Sequence, residues 1–323
     1  MKNLVCIVAG EPNSINSELI GKIWIKKKLF KKSKIFIVGN FNIIKKQFEK
    51  ININIKIKKI LNIDKEDFTN LSILDVPLNF SDPFNVKAKD KRNYLIKSFN
   101  VAINLAKNKK IRGFINCPIN KSETFGNKTI GVTEFLANKE KVLGKEAMLI
   151  YNKKLSVSPI TTHIQVKKIS RSINKKLIIN KLITINRFYK KNFNIKPNIG
   201  LLGLNPHNYE LRSNSEERKI IIPAIKKVKK LKIKVIGPLS GDTAFTNFKN
   251  KKLNVLVGMY HDQVLSPFKT MFKFNAINIT LGLPYIRISP DHGTGHDIIK
   301  KNKANPESLI ESIKFFNKIN VKT

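Results

Sequence analysis

Short apolar, β-branched runs alternate with longer lysine-rich amphipathic stretches along all 323 residues. That alternation restricts the fold more than any other feature. The runs Leu4–Ala9, Ile35–Val38, Gly113–Asn116, Met148–Tyr151, Ile199–Leu204, Val235–Gly237, Val255–Met259 and Ile277–Leu281 read as strands. Between them, Ser17–Lys28, Lys89–Ala106, Asn174–Tyr189, Ser215–Lys230 and Glu307–Ile319 read as helices, with apolar residues recurring at three- and four-residue steps. Strand, helix, strand in succession implies parallel sheets carrying helices on their faces, an α/β fold. No Pro- or Ser-rich linker and no repeat interrupts the pattern, so a domain boundary is expected in ordered chain, near Thr124–Gly131.

Composition enters through charge. The formal net charge is +40, and only seven of the 62 basic residues are Arg. Readers of nucleic acid favour Arg for bidentate contacts and gather charge on one face. Here Lys is spread through every segment beside Ile and Asn, residues spelled by A- and T-rich codons, so the charge reads as compositional drift and no specific nucleic-acid partner is expected. No apolar run has the ~18 residues of a membrane helix. The start, MKNLVCIVAGEP, reads as a buried strand and not as a signal segment. Two cysteines, Cys6 and Cys117, form no framework and suit a reducing cytoplasm, and Cys117 reads as a small buried residue.

The unusual residues fall just after the strands, where open α/β sheets collect ligands. These turns are Gly10-Glu11-Pro12-Asn13, Asn116 to Lys121, Thr161-Thr162-His163, Asn205-Pro206-His207, Tyr260-His261-Asp262-Gln263, and Gly282-Leu283-Pro284 onward to Asp291-His292-Gly293-Thr294. All five histidines lie in them or, for His296, just after the last. Three imidazoles, His163, His207 and His261, would suit a divalent first-row metal with one position left open. His292 and His296 are spaced H-x-x-x-H, but glycines break the segment, and His296 reads as a surface residue. Neither G-x-G-x-x-G after the first strand nor a P-loop nor a G-x-S-x-G elbow is present, so a dinucleotide would have to bind by another route.

These motifs closely resemble the 4-hydroxythreonine-4-phosphate dehydrogenases of the pyridoxal phosphate pathway. The resemblance is carried by Gly10-Glu11-Pro12, Pro118-Ile119-Asn120-Lys121, Thr133-Glu134-Phe135, Thr161-Thr162-His163, Gly203 to His207, Gly237-Pro238-Leu239 with Asp242-Thr243, Met259 to Gln263, and Asn278 to Arg287 through Thr294. It implies two α/β/α domains with a cleft between them, similar to the isocitrate and isopropylmalate dehydrogenase fold. The first domain would take residues 1–125 plus about 295–323 and the second 126–294. It implies a homodimer whose interface completes the site, with His163, His207 and His261 as ligands of a divalent metal (Zn, Co, Mn or Mg). Thr133, Lys269, Asn278 and Arg287 would contact a small phosphorylated substrate. His292, Gly293 and Thr294 are the candidates for NAD or NADP.

The implied chemistry oxidises a secondary alcohol of 4-phosphooxy-threonine and releases CO₂ to give 3-amino-2-oxopropyl phosphate. A cation on the hydroxyl would stabilise the developing charge, and the nicotinamide would accept the hydride. Lys269 or Asp262 would move the proton, and Asp242 is a further polar candidate or a helix cap. Three positions depart from the family pattern. Val132 stands where its members carry His, Asn13-Ser14-Ile15-Asn16 follows the first turn in place of glycines, and Asn208-Tyr209 replace small residues after the second ligand. The Val132 change admits an alternative substrate, a four-carbon sugar acid 4-phosphate such as threonate or erythronate. The charge admits a remoter alternative, a basic nucleic-acid-binding protein.

Overall fold

The computed structural model describes residues 4–64, 66–126, 131–273 and 275–319. Its strands are β1 (Leu4–Val8), β2 (Lys34–Gly39), β3 (Ile57–Ile60), β4 (Leu71–Asp75), β5 (Gly113–Asn116) and β6 (Ala147–Tyr151). They continue with β7 (Ser156–Pro159), β8 (Ile199–Leu202), β9 (Val235–Leu239), β10 (Val255–Gly258), β11 (Ile277–Leu281) and β12 (Ile286–Pro290). The chain divides into two compact units, one from Met1–Phe135 with Pro284–Lys318 and one built on Leu136–Leu283.

In the first unit the strand order is β3-β4-β2-β1-β5-β12, all parallel. The helix Ala88–Lys107 turns Tyr94, Leu95, Phe99, Ala102 and Ile103 inward at three- and four-residue steps, which is the stripe that covers a sheet. The helix Glu307–Lys318 buries Leu309, Ile310, Ile313, Phe315 and Phe316 and packs on β12. Because β12 pairs with β5, Arg287 opposite Phe114, the chain through Asp291-His292-Gly293-Thr294 belongs to this unit. The crossings therefore fall at 135/136 and 283/284 rather than near 125 and 295. Residues 127–130 of the expected boundary lie outside the described residues.

In the second unit the order is β11-β6-β7-β10-β8-β9, and β6 runs against both its neighbours. The expectation of wholly parallel sheets fails there for a local reason. Only Asn152–Leu155 joins β6 to β7, and so short a link permits only a hairpin, tightened by the Lys154 amide donating to Asn152 Oδ1 at 2.9 Å. Strands β7, β10, β8 and β9 remain parallel. Met148, Ile150, Val157, Leu202, Leu256, Val264 and Phe268 share one core between this sheet and its helices. The helix Lys175–Phe193 begins at Asn174, whose side chain accepts the Leu177 amide, and ends at Asn194 in the left-handed region. Among the described residues no helix is long and apolar enough to cross a membrane.

Candidate active site

The order β7-β10-β8 brings the three histidine-bearing turns side by side. The strands are parallel neighbours, so their carboxyl ends share one edge, with His163 after β7, His261 after β10 and His207 after β8. Hydrogen bonds stitch the turns together. The Thr161 amide and hydroxyl both donate to the Met259 carbonyl, at 3.1 and 2.7 Å. Gln263 accepts the Met259 amide at 2.6 Å and donates to the Gly203 carbonyl at 2.8 Å, tying the end of β10 to the end of β8.

The rings of His163 and His261 lie 6.0 Å apart, centre to centre. Two imidazoles on one tetrahedral ion have ring centres about 5 Å apart, so this pair is close to a shared-cation spacing. His261 Nδ1 is 2.6 Å from Asp262 Oδ1. An ionised carboxylate only accepts, so the hydrogen sits on Nδ1 and the Nε2 lone pair is left for a cation. Asp262 thus orients an imidazole. His207 begins a run of left-handed backbone, His207 to Leu211, with the Asp242 carboxyl near it. The Ser240 hydroxyl first, then the Thr243 amide and His207, hold the Asp242 carboxyl below its ordinary range. Among the described residues no three His, Cys, Asp or Glu side chains close on a single point. The donor types fit a divalent cation, two of the rings are near the required spacing, and His207 stands on the adjoining strand end.

Of the other second-unit residues, Lys269 follows His261 by eight positions on the helix His261–Phe272, about 12 Å along its axis. Asn278 stands on β11 opposite Ile150, and its Oδ1 is buried without a hydrogen-bond partner. A buried acceptor left open is costly by about 1–3 kcal/mol unless something donates to it, so this atom marks a place for a donor.

Thr133, Arg287, His292, Gly293 and Thr294 belong to the first unit. Arg287 is not a surface charge. It is 3% exposed on β12, and its Nε donates to Asn116 Oδ1 at 2.6 Å. Burial pulls the guanidinium down to about 10, while Glu134 and Tyr285 push the other way. At neutral pH it keeps its charge, with Nε spent on Asn116. Thr133 sits one residue into the helix Val132–Lys139, and Val132, in the position of the family histidine, is buried. His292 Nδ1 donates to the Gly293 carbonyl at 3.0 Å, and the Thr294 carbonyl accepts the Ile15 amide at 3.1 Å, which docks this loop against the first turn.

That first turn makes its close approach without the glycines that the resemblance leads one to expect after it. Gly10 has φ +74°, and a Cβ there would meet the Pro118 carbonyl oxygen at 2.6 Å. Asn16 supplies the remaining contact, its Nδ2 donating to the Pro118 carbonyl at 2.9 Å. Glu11 is buried, accepts the Asn120 amide at 3.2 Å and pairs with Lys91 at 3.0 Å, and Lys91 also meets Glu123 at 2.6 Å. Burial lowers the Lys91 ammonium, but its two carboxylates outweigh that and hold it above its ordinary value. Nothing in the sequence marks Lys91 among the other lysines. Cys117 is buried, its thiol pushed up to about 12, which makes it a packing residue.

The profile of the pyridoxal phosphate biosynthetic protein PdxA family matches residues 31–316. The chain belongs to that family. A PdxA-family relative from Sulfurihydrogenibium, 4-hydroxythreonine-4-phosphate dehydrogenase, is 39% identical over 96% of both chains. A putative D-threonate 4-phosphate dehydrogenase from Oceanobacillus iheyensis is 30% identical over 97% of this chain and 96% of its own. A putative 4-hydroxythreonine-4-phosphate dehydrogenase structure from Salmonella typhimurium superposes with a TM-score of 0.86 at 29% identity, covering 98% of this chain and 99% of that one. Isocitrate dehydrogenase from Methylococcus capsulatus, with a TM-score of 0.51 at 10% identity over 98% and 85% of the two chains, shares the fold alone, as the resemblance implied. This PdxA-family chain is an oxidoreductase of the dehydrogenase type.

Proposed function

We propose that the chain oxidises the secondary alcohol of 4-phosphooxy-threonine with NAD or NADP and a divalent metal, followed by loss of CO₂ to 3-amino-2-oxopropyl phosphate. The observation that carries this reading is the β7-β10-β8 order, which sets His163 and His261 6.0 Å apart with His207 on the next strand end. His163, His207 and His261 would hold the cation through their ring nitrogens. When bound, a divalent cation stabilises negative charge on the alcohol oxygen and a nicotinamide takes the hydride.

The chain's own residues do the rest. Asp262 keeps the hydrogen of His261 on Nδ1. Arg287, held through Nε by Asn116, offers its buried positive charge to an anionic group of the substrate. The Asn278 carbonyl takes a donor such as the substrate ammonium or hydroxyl. Lys269 supplies a second positive charge and moves the proton, and Thr133 adds a hydroxyl contact. His292, Gly293 and Thr294 take the adenosine end of the dinucleotide. The same reading includes a homodimer, by family resemblance, and a reducing cytoplasmic setting, supported by two buried free cysteines.

A second substrate, a four-carbon sugar acid 4-phosphate, is favoured by Val132 and by the 30% identical relative named for threonate phosphate. Reduced nicotinamide followed on each compound separates the two, and faster turnover of the sugar acid would replace the first choice. Metal analysis of His163→Ala beside the native chain tests the ligands, and undiminished metal and rate in the variant would end the reading.

A further inference from the structure

Glu217 is a carboxylate that the chemistry above leaves unused, and its environment is unlike that of any other acid in the second unit. It is 0% exposed. The hydrogen bonds its side chain accepts come from uncharged N–H groups. Its Oε1 accepts the Leu204 amide at 2.8 Å and the Asn205 amide at 2.9 Å, and its Oε2 accepts Asn205 Nδ2 at 3.1 Å. Three N–H groups of one turn therefore converge on a single buried carboxylate. They belong to the residues between the end of β8 and His207. A buried ionised group is tolerated only when its lone pairs are filled in this way, so carboxylate and turn hold each other in one arrangement.

The surroundings are built to the same end. Glu217 opens a wide π-turn, Glu217–Ile221, ahead of the helix Ile222–Lys230, and such turns displace a side chain from the regular helical direction. A Cβ on Gly203 would collide with the Asn208 amide oxygen and come within 3.1 Å of Glu217 Oε1, so glycine here leaves room chiefly for Asn208 and only slightly for the carboxylate. Glu216 adds a bond to Asn205 Nδ2 at 2.9 Å. Gln263, two residues after His261, holds the Gly203 carbonyl of the same turn.

We infer that Glu217 is a positioning residue that presets the turn carrying His207, so that the third imidazole is delivered to the cation without reordering the chain. The inference rests on the metal reading of the three histidines. What matters is reach rather than charge, because both backbone bonds go to one oxygen. Glutamine keeps an oxygen on both backbone amides, while its NH2 replaces the second oxygen and leaves Asn205 Nδ2 to Glu216 alone, and aspartate keeps the charge but falls a methylene short.

The test uses the full chain stripped of metal and titrated with Co²⁺, read by visible absorption, on native protein, His207→Ala, Glu217→Asp and Glu217→Gln. Glu217→Asp is expected to bind Co²⁺ about ten- to a hundredfold more weakly, the usual size of an outer-shell effect, and Glu217→Gln within about threefold of native. Amide exchange of the native metal-free chain reads the latch without any variant, and Leu204 and Asn205 are expected among its slowly exchanging amides. The inference is overturned if Glu217→Asp binds as native does, if Glu217→Gln loses as much as Glu217→Asp, or if those two amides exchange at open-chain rates. Unchanged Co²⁺ affinity in His207→Ala would instead overturn the metal reading, and the inference with it.

Discussion

Five consecutive residues, His207 to Leu211, have φ between 48° and 56°, and none is glycine. Left-handed backbone brings Cβ against the following carbonyl and costs an L-residue about 1–2 kcal/mol. The resemblance leads one to expect small residues just here, which would adopt these dihedrals more easily. Glu210→Gly isolates the effect. It removes that strain, adds back about 0.5–1 kcal/mol of glycine's unfolded freedom, and breaks one exposed pair with Arg212 worth a few tenths. The balance is a gain of roughly 0.5 kcal/mol, drawn from those terms. Lys226→Gly, at an exposed position inside the helix Ile222–Lys230 of the same unit, should lose about 0.8–1 kcal/mol. The same glycine then has opposite signs at two sites, and calorimetry should separate the two transitions by about 3–5 °C. If Glu210→Gly melts as low as Lys226→Gly, the backbone at 210 is not left-handed and the strain argument is wrong.

Lys91→Met leaves Glu11 buried with no cation beside it and should destabilise the first unit by about 3–5 kcal/mol in urea unfolding, and a loss under about 1 kcal/mol would show that the pair is not closed in solution. Gly10→Ala combines φ +74° with a Cβ 2.6 Å from a carbonyl oxygen that cannot swing away, so a fall of more than about 2 kcal/mol is expected, and a neutral result would contradict the docking of the first turn on Pro118. Glu216 is held below its ordinary value, first by the Ser170 hydroxyl and then by Asn205, against the opposing effect of burial. Its folded value lies under the unfolded one, so its contribution is complete above about pH 4.5 and is lost as pH falls through the folded value. Glu216→Gln should therefore flatten the acid limb of a stability–pH curve while reducing stability near neutrality, and an unchanged limb would argue against those bonds.

The sequence was readable where its signals are local. All five expected helices are present, Gly113–Asn116 and Ile277–Leu281 match their strands to the residue, and Asn174 caps the helix it precedes. The strands that escaped, β3, β4, β7 and β12, carry Lys, Ser, Arg or Pro inside runs of four or five residues, so they show no continuous apolar stretch. The expected helix Ser215–Lys230 opens as a π-turn, and Pro223, which has no amide to donate, lies just beyond it.

Alternation of period, turn residues after strands and the scarcity of histidine depend on neighbours in the chain, and they were enough to settle the α/β class and to single out candidate side chains at the strand ends. Which strands lie together depends on pairings across tens of residues that no local pattern encodes. Only the folded chain therefore decides that β7, β10 and β8 adjoin, that β6 runs backward and that β12 joins the first unit. The same holds for the buried charges. Lys91, Glu11 and Glu217 look like any surface residue in sequence, and become structural only where burial removes water and leaves a specific partner as the one way to satisfy each charge.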